Sequence, residues 1–127
     1  MRVGGPLTIT REFQPSTQTL VRYAGASGDF YEIHYDEDIA AANDLSDLPV
    51  HGLLKMSWLV DLAEELVGAD PVPTHIECRY SSVDYRRRTL RCHAQVVSQD
   101  DARIEVRMWT EDGQGTKTCM AHATFAL

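Results

Sequence analysis

The sequence predicts an α+β fold in which an antiparallel sheet wraps around one central, buried helix. Two observations carry this expectation. The first is the segment 52–67 (GLLKMSWLVDLAEELV), whose apolar residues cover most of a helical circumference; a helix apolar nearly all round is buried in the middle of something. The second is that the chain after Pro73 alternates apolar and polar residues with turn chemistry between the runs, which is the period of strands with one wet face. No other element could cover the helix, so the sheet must curve around it.

Each element follows in order. Residues 7–13 (LTITREF) read as a short strand. Pro15-Ser16 marks a helix start with Ser16 as N-cap, and Leu20, Val21, Tyr23 and Ala24 give that helix an apolar stripe before Gly25 and Gly28 close it. Residues 28–36 (GDFYEIHYD) mix turn formers, aromatics and ionisable groups without helical period, so they form a loop with unusual contents. A brief helix over 37–43 and the loop LSDLPV lead into the central helix, which Gly68, Pro71 and Pro73 terminate. Then Ile76, Cys78 and Tyr80 alternate with Glu77 and Arg79. Two further strands follow, on Leu90, Cys92, Ala94, Val96 and on Ile104, Val106, Met108. A last one spans about 116–127.

With 127 residues the chain is expected to form a single domain over 1–127. Nineteen acidic against 12 basic residues give a net charge of −7, which disfavours nucleic-acid and membrane-surface roles. No apolar run approaches the roughly 20 residues of a membrane span. The opening Met1-Arg2-Val3-Gly4-Gly5-Pro6 lacks the apolar core of a signal peptide, so a cytoplasmic location is expected. Cys78, Cys92 and Cys119 are widely spaced and read as small buried apolar side chains. His75, His93 and His122 lie singly on strands without ligand spacing, so no metal is assigned.

Several residues could carry chemistry. Asp29 and His34 share one loop, and a carboxylate with an imidazole is a common proton-transfer pair. Their spacing of five suits neither helix nor strand, so only a curved loop lets them converge. Taken alone, that spacing favours the plainer reading of a turn residue and a half-buried loop histidine. His51-Gly52 directly precedes the buried helix, whose first N–H groups lack internal partners at its positive end. Without a side chain at Gly52, a ligand oxygen could approach that N–H closely. Equally, the glycine could merely shape the start of the helix. The Ser57 hydroxyl needs a partner, either a carbonyl one turn back or a catalytic histidine. Lys55, a cation in the first turn, snorkels to solvent, pairs with an acid, or meets substrate or another protomer. Arg86-Arg87-Arg88 reads as a surface turn, with the phosphates of coenzyme A or an acidic carrier protein as the functional alternative.

The segment YAGASGDFYEIHYDEDIA followed by VHGLLKMS resembles the MaoC-like, (R)-specific enoyl-CoA hydratase group of hot-dog proteins. Ser27-Gly28-Asp29, Ile33-His34 and Asp36 match the first family motif; His51-Gly52-Leu53-Leu54 and Ser57 match the second. The order of elements agrees over essentially the whole chain, and Trp109-Thr110-Glu111 before a glycine-containing turn is similar to the family's late hairpin. The resemblance implies reversible hydration of trans-2-enoyl thioesters. Asp29 and His34 would be the catalytic pair, the Gly52 N–H the thioester-carbonyl site, and Ser57 and His51 the supporting residues. Tyr31 and Trp58 would line the substrate. It implies no cofactor beyond the coenzyme A or acyl-carrier-protein thioester, and a homodimer with the acyl chain running between protomers. The usual Asn-Pro after the catalytic Asp is Tyr31-Glu32 here, which puts loop rigidity and substrate range in doubt. A heteromer with another MaoC-like subunit, as in steroid side-chain or carrier-protein dehydratases, is the alternative assembly. A hot-dog thioesterase, with Asp61, Glu64 or Glu65 as its helix carboxylate, is the alternative activity.

Overall fold

A computed structural model describes residues 7–127. The opening Met1–Pro6, on which the expectation about export rests, lies outside the described residues. The elements are β1 (Thr8–Phe13), α1 (Thr17–Ser27), a 3-10 turn (Glu32–His34), α2 (Glu37–Ala42), α3 (Gly52–Val67), β2 (Val72–Tyr80), β3 (Leu90–Gln99), β4 (Arg103–Glu111) and β5 (Lys117–Ala126). The five strands form one antiparallel sheet in the order β1-β3-β4-β5-β2. No helix among the described residues is long and apolar enough to cross a membrane.

Local chemistry sets the boundaries. Ser16 caps α1 by accepting from the Thr19 N–H, and the Thr19 hydroxyl accepts in return from the Ser16 N–H. The helix runs on through Gly25, and Gly28 closes it in the left-handed conformation (φ 78°), donating to the Ala24 carbonyl. Asp36 caps α2 by accepting from the N–H groups of Asp38 and Ile39. Pro73 lies inside β2 rather than before it; β2 is an edge strand, where a missing N–H is tolerated.

The apolar circumference of α3 is explained by cover on two sides. Leu59, Leu62, Ala63 and Val67 join the sheet residues Cys92, Val106 and Phe125 in one core. On the opposite side Leu54 joins Leu20, Ala40, Leu48 and Val50, from α1, α2 and the loop before α3. Cys92 and Cys119 are buried apolar side chains, as expected, whereas Cys78 is only half-buried. The alternation on β3, β4 and β5 matches their burial. On β2 it does not: Ile76 and Cys78 are half-buried and Tyr80 is exposed, because α3 packs across the other four strands.

Two buried cations tie the segment 82–86 to this frame. Lys55, 3% exposed, donates from Nζ to the Asp84 carboxylate at 3.0 Å and to the Ser82 carbonyl at 3.3 Å. Of the options open to this lysine, the structure selects the acid partner. Arg86 departs from the surface-turn reading: it is buried and donates to Glu37, Asp47 and the Thr17 hydroxyl, so it joins α1, α2 and the loop before α3. Buried, and bonded through each of its three nitrogens to these partners, it is not free for phosphates. Arg87 stands in the left-handed region (φ 64°) and Arg88 lies over the Tyr85 ring.

Removing Asp84 would strand a buried ammonium. Asp84→Ala is expected to lose about 3–5 kcal/mol in urea unfolding, whereas Lys55→Met/Asp84→Leu recovers most of it. A single-variant loss below about 1 kcal/mol, the range of exposed pairs, would show that this ion pair does not hold the segment.

Candidate active site

The loop between α1 and α2 is curved by its own polar groups. The Ser27 hydroxyl accepts from the Asp29 N–H, and Asp29 Oδ1 accepts from the Tyr31 N–H at 3.4 Å, an Asx-type turn. Tyr35 donates its hydroxyl hydrogen to the Phe30 carbonyl at 2.7 Å, and the His34 N–H donates to the Tyr31 carbonyl in the 3-10 turn. These ties hold the loop through Tyr31-Glu32 without a proline. They also bring Asp29 and His34 together: His34 Nε2 stands 3.9 Å from Asp29 Oδ2.

The orientation of His34 comes from another part of the chain. Its buried ring bonds through Nδ1 to the Pro49 carbonyl at 2.8 Å. A carbonyl can only accept, so Nδ1 carries the hydrogen and Nε2 keeps its lone pair toward Asp29 when the ring is neutral. Pro49 is itself fixed opposite Tyr85 in an antiparallel bridge. The flanking bonds run from the Val50 N–H to the Asp84 carbonyl and from the Arg86 N–H to the Leu48 carbonyl. Proline fits this position because no bond is required of its nitrogen.

His51 precedes α3 and caps it without a side-chain bond, leaving the first N–H groups of the helix free of a capping side chain. Its ring is 1% exposed, stacks on the His34 ring (centroids 3.6 Å apart, 18° between planes) and meets Tyr23 edge-on. Neither ring nitrogen has a hydrogen-bond partner of normal geometry, although the Asp29 carbonyl lies near enough to favour protonation. Burial, and then proximity to His34, outweigh that and hold the His51 pKa below its ordinary value. Burial also raises the Tyr23 pKa, with the Asp29 charge adding to it.

At Gly52 the missing side chain has a second cause. A Cβ there would meet the Tyr80 ring at 3.1 Å, so glycine lets β2 end against the first turn of α3. Burial and then a bond with Cys78 raise the Tyr80 pKa. Two expected roles find no contact. Ser57 is exposed and donates to the Leu54 carbonyl at 2.7 Å, one turn back, instead of reaching His34. Trp58 stacks on Phe13 (4.5 Å, 9°) and packs against both cores. Tyr31 is 56% exposed and stands edge-on to His34 at 6.4 Å, at the mouth of the site. The α3 carboxylates Asp61, Glu64 and Glu65 are all exposed, and Glu65 is paired with Arg11.

Sequence reasoning missed Pro49, Asp84, Tyr80 and Tyr23. Only Pro49 and Tyr80 carried a local signal: a proline just before the helix, and an aromatic at a strand end. The grouping of Asp29, His34 and His51, whose donor atoms all lie within 4.8 Å of one another, is created by the fold.

The MaoC-like domain family model matches residues 2–122. None of the curated proteins matches the chain significantly in sequence. Among solved structures the chain is similar to the ChsH1-ChsH2 complex from Mycobacterium tuberculosis, at TM-score 0.89 and 21% identity, over 100% of this chain and 99% of that chain. It is similar to the (R)-hydratase from A. caviae involved in PHA biosynthesis, at TM-score 0.89 and 18% identity, over 100% and 97% of the two chains. R-hydratase PhaJ1 from Pseudomonas aeruginosa superposes at TM-score 0.87 and 16% identity, over 98% and 81%. At these identities the likeness establishes the hot-dog fold.

The lowered His51 pKa has a consequence for stability. The unfolded chain takes up a proton near pH 6.5 that the folded chain resists, so His51 favours folding above that pH and loses its contribution as pH falls. In urea unfolding between pH 7 and 5, wild type should lose stability more steeply than His51→Phe, by up to about 1.4 kcal/mol per pH unit. Parallel pH dependences would contradict a buried, neutral His51.

Proposed function

The chain belongs to the MaoC-like domain family, and from that premise we propose that it is a hydro-lyase acting on acyl thioesters. Its reaction is the reversible hydration of a trans-2-enoyl-CoA to the (R)-3-hydroxyacyl-CoA. The observation that carries this reading is the His34–Asp29 pair, 3.9 Å apart beside the uncapped start of α3. That separation is too long for a direct hydrogen bond and suits two groups that share one water.

Each residue then has a task. His34 Nε2, with its lone pair fixed by the Pro49 bond, takes a proton from the water that Asp29 orients. The water oxygen bonds to C3 of the enoyl group as electron density moves to the thioester carbonyl. The Gly52 N–H, at the positive end of α3, holds that oxygen as it gains enolate character. The pair returns a proton to C2, so the protein ends unchanged. Coenzyme A or a carrier protein brings the substrate, and no further cofactor enters.

The assembly we propose is a homodimer joined along the β2 edge. Leu53 and Tyr80 are exposed beside Gly52, and Val72 is exposed at the other end of β2; a second chain would cover them and complete the acyl site. A heteromer with another MaoC-like subunit is the alternative assembly. The three free thiols fit a cytoplasmic location.

The test is crotonyl-CoA with the protein alone, following loss of the enoyl-thioester absorbance. The expected result is (R)-3-hydroxybutyryl-CoA, with turnover reduced about 10²–10⁴-fold in Asp29→Asn and in His34→Ala, the range for a lost acid–base group. Near-wild-type turnover in either variant would overturn the pair, and release of free thiol would overturn the hydro-lyase reading. If crotonyl-CoA is left unchanged, longer and polycyclic enoyl-CoAs follow, and no hydration of any of them overturns the self-sufficient homodimer.

A further inference from the structure

Two imidazoles and a carboxylate converge at this site, and hydration as described leaves one of them without a task. His51 is buried, yet neither of its nitrogens has a hydrogen-bond partner of normal geometry, the Asp29 carbonyl being the nearby acceptor. A buried polar group in that condition demands an explanation, and a missing ion is one of the few available. Asp29, His34 and His51 offer donor atoms that all lie within 4.8 Å of one another. Three such ligands with a fourth position open to solvent form the pattern of an accessible zinc site.

Two further features fit an ion. The Pro49 carbonyl accepts from His34 Nδ1, which is the outer-shell bond that ordinarily orients a metal-binding histidine and leaves Nε2 as the ligand. The His51 ring is buried and neither nitrogen is taken up by a hydrogen bond of normal geometry, so it can offer one of them to an ion. Entry is from the side of Asp29, whose side chain is 42% exposed.

We propose that Asp29, His34 and His51 form a binding site for a divalent transition cation, with Zn2+ as the best fit, and that the bound ion blocks the hydration site. The blocking half rests on the reading of Asp29 and His34 as the hydration pair; the binding half does not. Zinc–nitrogen bonds of about 2.0–2.1 Å in tetrahedral geometry bring ligand atoms to roughly 3.4 Å from one another. The donors therefore close by little more than about 1 Å. His34 is anchored by Pro49, so the His51 ring, held by no hydrogen bond of normal geometry, is the part that turns: it must swing out of its near-parallel stack on His34, because two imidazoles lying face to face cannot both aim an in-plane lone pair at one ion.

The experiment is a titration of the metal-free full chain with Co2+, followed by visible absorbance, and with Zn2+, followed by calorimetry. One equivalent should bind with the intense visible bands of a low-coordinate site. Affinity should fall by at least about 10-fold in His51→Asn and in Asp29→Asn, since even an outer-shell change has that effect. His75→Ala, which removes the exposed His75–Glu77 pair on β2, should leave the binding unchanged. Circular dichroism checks the fold of each variant; should His51→Asn not fold, Asp29→Asn at its more exposed position decides alone. Absence of saturable binding, unchanged affinity in the site variants, or loss of binding in His75→Ala would each overturn the site. One equivalent of Zn2+ should abolish enoyl-CoA hydration, reversibly with a chelator, and binding without inhibition would overturn the blocking half. A metal-free protein that binds Zn2+ but hydrates nothing would leave the site standing and overturn the hydratase reading.

Discussion

The Nδ1–H of His34 donates to the Pro49 carbonyl, and much of the structure serves to put that carbonyl in place. Pro49 lies opposite Tyr85, between two backbone hydrogen bonds that join residues 48 and 50 to residues 86 and 84. The strip 84–86 is in turn fastened by buried charges: Asp84 to Lys55 on α3, and Arg86 to Asp47, Glu37 and Thr17. Lys55, Asp84 and Arg86 would each be costly to bury alone and are tolerated because they are paired and hydrogen-bonded. The imidazole tautomer that leaves Nε2 with a lone pair toward Asp29 thus depends on contacts far from both residues in sequence.

Helix α3 connects the fold to the site. It is apolar nearly all round because the sheet covers one side and α1, α2 and the preceding loop cover the other. That double burial fixes where its first turn emerges. The emergence point is also where His51 stacks on His34 and where Tyr80, at the end of β2, closes against Gly52. The positive end of the helix and the Asp29–His34 pair are therefore neighbours as a result of packing. The same packing leaves β2 at an edge with its inward residues only partly covered.

Local signals in the sequence carried the helices and strands well. The span 52–67, the Ser16 cap and the period-2 runs of β3 and β4 all depend on residues close to one another in the chain, and all appear in the structure. The curved loop that unites Asp29 and His34 was legible for the same reason, since Ser27, Asp29 and Tyr35 build it locally. Long-range pairing was not. Nothing in the run Arg86-Arg87-Arg88 shows that the first member turns inward to Glu37 and Asp47, or that Lys55 meets an aspartate 29 residues away. Ser57 illustrates the converse: its motif position suggested a role beside His34, while the other partner open to it, a carbonyl one turn back, takes its hydroxyl.

The central claim, that the Pro49 carbonyl fixes the tautomer of His34, is open to direct measurement by nitrogen-15 NMR of the histidine rings in their neutral form. The account predicts a protonated, pyrrole-like Nδ1 and an unprotonated, pyridine-like Nε2 for His34, with Nδ1–H slow to exchange because its hydrogen bond is buried. A protonated Nε2, or a rapidly averaging mixture of the two tautomers, would contradict it.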